Sequence, residues 1–157
     1  MSKKNYRPNV SAVILSSKYP FECKVFLGNR NDYKDDIWQF PQGGIDEGET
    51  PREALFRELK EEIGTNEIEV IAEHPEWFSY DFPSRSTGKM YPYDGQRQKY
   101  FLVRLKNDSL VDINTKSPEF RDFKFVSCWD VLNHIGNMKK NIYKSVIEYF
   151  KKTGYLS

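Results

Sequence analysis

The sequence predicts an α/β domain, a mixed sheet flanked by helices. Three observations carry that prediction. Short β-branched or alternating segments recur along the chain, as in NVSAVIL and QKYFLVRL. One central segment, TPREALFRELKEEIG, has start and stop signals for a helix. The C-terminal KKNIYKSVIEYFKK is amphipathic at helical spacing. Strands interleaved with such helices bury both faces of a sheet.

The first strand is expected over Asn9–Leu15 and the second over Cys23–Arg30. Between them, SSKYP has the composition of a hairpin turn. The polar NDYKDD (Asn31–Asp36) reads as a loop, and IWQFPQGG leads a short aromatic strand into a glycine turn. Thr50 is then the N-cap of the central helix, Pro51 suits its first position and Glu53 completes a capping box. Gly64 is the stop, and Leu55, Leu59 and Ile63 form the stripe that packs on a core. Further strands are expected over Glu67–His74, Glu76–Phe82, Gln98–Leu105 and Phe120–Ser127, with a mobile loop over Ser84–Gly95. In the last helix Ile142, Tyr143, Val146, Ile147 and Phe150 face inward.

The chain has 157 residues, which suits one domain, 1–157, with one good-sized core. Apolar residues make up 38% and charged residues 30%, a globular rather than disordered balance. A net charge of +1 sets up no global field towards nucleic acid or membrane, so such a partner would have to meet a local patch. Cys23 and Cys128 form no spaced motif and read as reduced thiols, not a disulfide framework. The N-terminus lacks the apolar stretch of a signal peptide, and no apolar run approaches the ~20 residues of a membrane span. The expected compartment is the cytoplasm, with no membrane partner.

RELKEEIG, Arg57 to Gly64, poses the functional question. Glu58, Glu61 and Glu62 fall at i, i+3 and i+4, where like charges cost an isolated helix roughly 0.2–0.5 kcal/mol per pair. At about 100° per residue, with Glu58 at zero, Glu62 lies near +40° and Glu61 near −60°. The apolar stripe spreads from about +60° to +140°, so the glutamates border it. Ala54, near −40° on the same wheel, is expected to leave room above them. A solvated charged face explains ELKEE taken alone. A cation site explains it together with FPQGGIDEGE, whose glycines let backbone approach a ligand closely. All candidate ligands are oxygens, so the ion would be hard, Mg²⁺ or Mn²⁺. Zinc fits poorly, because the only histidines, His74 and His134, lie outside the cluster. Three carboxylates on one helical edge also suit metals better than a glycosidase pair.

With the glycine loop included, these residues resemble the Nudix box, G-x5-E-x7-R-E-U-x-E-E-x-G-U. Gly43, Glu49, Arg57, Glu58, Glu61, Glu62 and Gly64 occupy its fixed positions; Thr65 stands where an aliphatic residue is usual. The resemblance implies an α/β/α Nudix sandwich and metal-dependent hydrolysis of a nucleoside diphosphate linked to another group. It implies that Glu58, Glu61 and Glu62 are metal ligands, joined by the carbonyl of Gly43. It implies that Arg57 orients the cluster and Glu49 braces it, while Glu53 remains a cap.

Outside the box, YRPNV, WQFPQGGI, GQRQKYFLVRL and SPEF resemble the bacterial RNA 5′-pyrophosphohydrolase branch, which includes enzymes named as dinucleoside polyphosphate hydrolases. That resemblance implies Glu119 as a further ligand or general base; its bland alternative is a turn entering a strand. It implies substrate contacts from Arg7, Arg30, Gln42, Tyr80, Gln96 and Lys99, with Met138 and Lys139 near the 5′ base. Met138 stands where relatives often have Phe, and a thioether covers a base face without offering a ring. For Arg7 a surface arginine, for Tyr80 a core aromatic and for Lys139 a solvated lysine are the alternatives. The loop after Arg30 is one residue longer than in relatives. The expected activity is conversion of 5′-triphosphate RNA to 5′-monophosphate RNA with release of pyrophosphate, the step that initiates mRNA decay. The rivals are hydrolysis of diadenosine polyphosphates or other nucleotides, and a non-catalytic nucleotide- or RNA-binding module.

Overall fold

The computed structural model describes residues 4–82 and 92–156. Its strands are β1 (Tyr6–Leu15), β2 (Lys24–Arg30), β3 (Trp38–Gln39), β4 (Gln42–Gly44), β5 (Ile68–Asp81), β6 (Gly95–Leu105) and β7 (Phe120–Ser127). Two helices, α1 (Pro51–Ile63) and α2 (Asn137–Lys152), complete the frame. The sheet is mixed. β1 runs parallel to β6 along its whole length and antiparallel to β4 and β2. β5 lies antiparallel to β6, and β2 is antiparallel to both β3 and β7.

Period-two alternation divides the sheet's side chains between two cores. Val10, Ala12 and Ile14 of β1 join Phe101 and Val103 of β6 against Leu55, Leu59 and Ile63 of α1. Val13 and Leu15 join Tyr100 and Leu102 against Tyr143, Val146, Ile147 and Phe150 of α2. The sequence thus has helices on both faces because its central strands are apolar on both. Of the expected inward face of α2, Ile142 alone is only partly buried. No described helix is long and apolar enough to cross a membrane.

Two expectations are corrected. Glu67–His74 and Glu76–Phe82 belong to one strand, β5, whose register against β6 shifts between Val70 and Ala72 and again between Glu73 and Trp77. Pro75 lies in the second shift, where a missing N–H costs no ladder bond. Cys23 and Cys128 are joined as a disulfide. β2 and β7 pair Lys24 with Ser127, so the next residue on each side meets across the ladder, at a Cα separation of 5.6 Å. Linear spacing carries no trace of that neighbourhood. The hairpin expected at SSKYP is present as the connection between antiparallel β1 and β2, held by Asp108, which accepts from the Ser16 hydroxyl and the Ser17 N–H. Residues 84–91 of the loop expected over Ser84–Gly95 lie outside the described residues, and Gly95 opens β6.

Candidate active site

Helix α1 begins and ends on its punctuation. Thr50 accepts from the Glu53 N–H at 3.1 Å, and the Glu53 carboxylate accepts from the Thr50 N–H at 3.0 Å. Gly64 takes the left-handed cap conformation at φ 77°, the geometry glycine adopts without strain. With Leu55, Leu59 and Ile63 buried, the helix can turn in only one way. Its glutamate edge therefore slopes from inside to outside: Glu62 is 7% exposed, the Glu58 side chain 15% and the Glu61 side chain 58%. Ala54 does not open space above the carboxylates. It is fully buried in the core beneath the helix and lines no part of the cleft.

The loop before the helix meets this edge without side chains in the way. A Cβ on Gly43 would fall 2.0 Å from the Glu58 carboxyl carbon, and one on Gly44 would fall 2.2 Å from an Arg7 guanidinium nitrogen. Two glycines let an acid and a base approach the same backbone. Arg57 ties the loop to the helix. Its Nε and Nη2 donate to the two Glu49 oxygens at 2.7 and 2.8 Å, a bidentate pairing. Nη1 donates to Glu58 Oε1 at 2.8 Å and Nη2 to the Gly44 carbonyl at 2.8 Å, with Glu61 at 3.4 Å. The Arg57 hydrogen bonds, with the Asp46 N–H, hold the Glu49 carboxyl down at about 2.

Glu62 is in the opposite situation. Burial pushes its carboxyl well above the ordinary 4.5, and the charges on Glu58 and Glu119 push the same way. Burial also raises Glu58, despite Arg57 beside it. Both sit on a cleft of about 250 Å³ that Glu61, Glu119 and Gly43 line as well. Converging, desolvated carboxylates are the environment a cation would relieve. Among the described residues, no three acid, imidazole or thiol side chains close into a ready-made metal cage. An open oxygen site of this kind fits a hard divalent cation that keeps part of its water shell. His74 is packed among Phe78, Tyr149 and Phe150, and His134 pairs with Asp130, so neither lines the cleft.

Arg7, Arg30, Gln42 and Gln96 line the same cleft. Arg30 is engaged by Asp32 through two bonds of 3.0 and 2.6 Å and lies 4.6 Å over the Tyr33 ring. Tyr80 adjoins the cleft through its hydroxyl, which accepts from Gln96 at 3.0 Å. Lys139 reaches Gln42 Oε1 at 2.5 Å and lies 5.1 Å from the Tyr80 ring centre. Burial of that ammonium, with the Arg30 charge nearby, pulls it down to about 7. Two expected contacts fall elsewhere. Lys99 alternates to the other side of β6, 3.8 Å from Glu73 and above the Trp77 ring. Met138, 54% exposed at the start of α2, does not line the cleft. Asn9, Gln39 and Phe120 do line it and were not anticipated. The available signal for the first was a polar residue inside an otherwise apolar strand, as it was for buried Gln98.

Comparisons with known proteins bear on the family and the fold. The NUDIX domain model matches residues 5–149. An RNA pyrophosphohydrolase of Campylobacter jejuni is 64% identical over 155 residues, covering 99% of each chain. One from Helicobacter pylori is 56% identical over 156 residues, covering 99% of this chain and all of its own. Among solved structures, an E. coli dihydroneopterin triphosphate pyrophosphohydrolase superposes with a TM-score of 0.69 at 19% identity, over 94% of this chain and 97% of its own. A C. elegans Ap4A hydrolase gives 0.68 at 21% identity, over 93% and 98%. These two likenesses speak for the fold, a mixed sheet between two helices. From the capped acidic helix, its glycine loop and the matches along almost the whole sequence, the chain belongs to the NUDIX family.

Proposed function

We propose that this protein is a Mg²⁺- or Mn²⁺-dependent RNA 5′-pyrophosphohydrolase of the cytoplasm, a single-domain enzyme that initiates mRNA decay. It would convert 5′-triphosphate ends to 5′-monophosphate ends and release pyrophosphate. One observation carries the chemistry: a single cleft holds the desolvated Glu58 and Glu62 together with Arg7 and Arg30. Such a cleft takes a phosphate chain whose oxygens are shared between hard cations and guanidinium groups. RNA is favoured over a free nucleotide by relatives named RNA pyrophosphohydrolase that match from end to end.

Glu58, Glu61 and Glu62, with the Gly43 carbonyl and Glu119, would hold the divalent ion. Bound there, it would neutralise the phosphate oxygens and favour a deprotonated water. Arg57 keeps Glu58 and the Gly44 backbone in register, and Glu49 keeps Arg57 in place. Arg7 and Arg30 would orient the phosphate chain; Gln42, Gln96 and Tyr80 would line its path. Lys139 would act from behind Gln42. In the reaction, the water oxygen bonds to phosphorus, its proton passes to a carboxylate of the acidic cluster, and the P–O bond to the pyrophosphate breaks.

The test incubates the protein and Glu62→Gln with 5′-triphosphate RNA and with diadenosine tetraphosphate, with and without Mg²⁺. Pyrophosphate release from RNA by the wild type only, and only with Mg²⁺, is expected. Turnover of the dinucleotide alone would remove RNA from the proposal. Absence of product from both would leave a binding module, and an equally active mutant would dismiss the glutamate assignment.

A further inference from the structure

A chain of side-chain hydrogen bonds runs along the cleft from Lys139 on α2 to Tyr80 on β5, with one consistent polarity. Lys139 Nζ donates to Gln42 Oε1 at 2.5 Å. That oxygen also receives Gln98 Nε2 at 2.8 Å. Gln98 Nε2 gives its second hydrogen to Asn9 Oδ1 at 2.9 Å, and Gln98 Oε1 accepts from the Tyr100 hydroxyl at 2.7 Å. Asn9, having accepted with oxygen, donates Nδ2 to Gln96 Oε1 at 2.5 Å. Gln96 then donates Nε2 to the Tyr80 hydroxyl at 3.0 Å. Flipping any one amide would set donor against donor or oxygen against oxygen.

The chain ends on a phenol used as the acceptor of the Gln96 amide. Among the described residues no hydrogen bond donated by this hydroxyl is found, which leaves its proton for a ligand. The charges of Arg30 and Arg7, both in the cleft wall, are felt at this phenol. Meanwhile Asn9 and Gln98 are buried to 1% and 0% exposure. Apolar side chains would fill those positions without the cost of desolvating two amides, so filling the core does not account for them.

We propose that Gln98, Asn9 and Gln96 are positioning residues that hold the Tyr80 O–H as a donor towards the substrate's phosphate chain. Tyr100 and Lys139 donate into the relay at Gln98 and Gln42. The inference rests on the triphosphate-RNA function proposed above.

The test is a double-mutant cycle in binding. A short 5′-triphosphate RNA and the same RNA with a 5′-hydroxyl are titrated by fluorescence anisotropy in EDTA, which removes divalent ions from the readout. Gln98→Met and Tyr80→Phe are each expected to weaken triphosphate binding about fivefold, the loss of roughly one hydrogen bond, and to leave hydroxyl RNA unaffected. Because Gln98 acts through Tyr80, the double variant should bind no more weakly than Tyr80→Phe alone. Additive losses in the double variant, or equal losses with both RNAs, would overturn the relay, since a packing defect behaves in that way. If Gln98→Met loses its near-ultraviolet circular dichroism, Tyr100→Phe replaces it in the cycle with the same expected non-additivity. A wild type that does not prefer triphosphate RNA overturns the functional proposal itself, and the relay with it.

Discussion

At the residue scale, the site is built from carboxylates with opposite electrostatic fates. Glu49 has a folded pKa of about 2, below its ordinary 4.5, so ionising it favours the fold. Its contribution is full above pH 4.5 and fades as pH falls towards 2. Glu62 has the reverse sign. Its folded pKa lies above 4.5, so its charged form is the one folding disfavours. In EDTA, its contribution should therefore fall as pH rises from 4.5 through the folded value. We predict that Glu62→Gln stabilises the metal-free protein at pH 8 by roughly 1–3 kcal/mol, the scale of an uncompensated buried polar group. The gain should shrink at pH 5. Urea denaturation at the two pH values checks both parts, and a loss of stability at pH 8 would contradict the burial argument. Gly43→Ala is a second test. Its Cβ would fall on the Glu58 carboxyl, so activity should drop at least a hundredfold while the melting temperature changes little. Initial rates and a thermal scan read the two effects separately.

The elements matter because they convert local chemistry into position. Helix α1 is docked by its apolar stripe, capped at Thr50 and clasped to the glycine loop by Arg57. These supports are separable. Thr50→Ala should cost about 1 kcal/mol of stability, as lost N-caps do. Activity should stay within a few fold, because Glu58, Glu61 and Glu62 lie in later turns. Arg57→Lys should do the converse. A lysine cannot reproduce the bidentate grip on Glu49 together with the bonds to Glu58 and Gly44. Divalent-ion affinity should fall by about 10–100-fold, the range for lost supporting contacts, with the helix still docked. Mn²⁺ titration followed by electron paramagnetic resonance measures the affinity, and circular dichroism confirms the helix.

On the scale of the whole molecule, the sheet brings residues of distant sequence into two opposed regions. Arg7 on β1, Gln96 on β6 and Glu119 before β7 meet at one end. The Cys23–Cys128 disulfide closes β2 against β7 at the other, across 105 residues of sequence. Disulfides are unusual in the reducing cytoplasm proposed for this enzyme, which makes the pair informative. Protein purified without reductant and unfolded in guanidinium should show no free thiol, and two after dithiothreitol. Reduction should lower stability by about 2–4 kcal/mol, as breaking a disulfide commonly does. Two free thiols before reduction would restore the expectation drawn from sequence.

By itself the sequence determined what is local or periodic. The capping box, the Gly64 stop and the four-residue stripe specify α1, because a helix reads its own ends and face. The spacing from Gly43 to Glu62 made the acidic cluster legible for the same reason. Tertiary structure decided whatever depends on strand partners. Register joined Cys23 to Cys128, merged two expected strands into β5 across Pro75 and turned Lys99 away from the cleft. It also placed Asn9, Gln96 and Gln98 in hydrogen-bond reach of one another. Strand neighbours can be separated by any length of chain, and a shift of one residue reverses which face a side chain meets. Their contacts become visible only when the sheet is assembled.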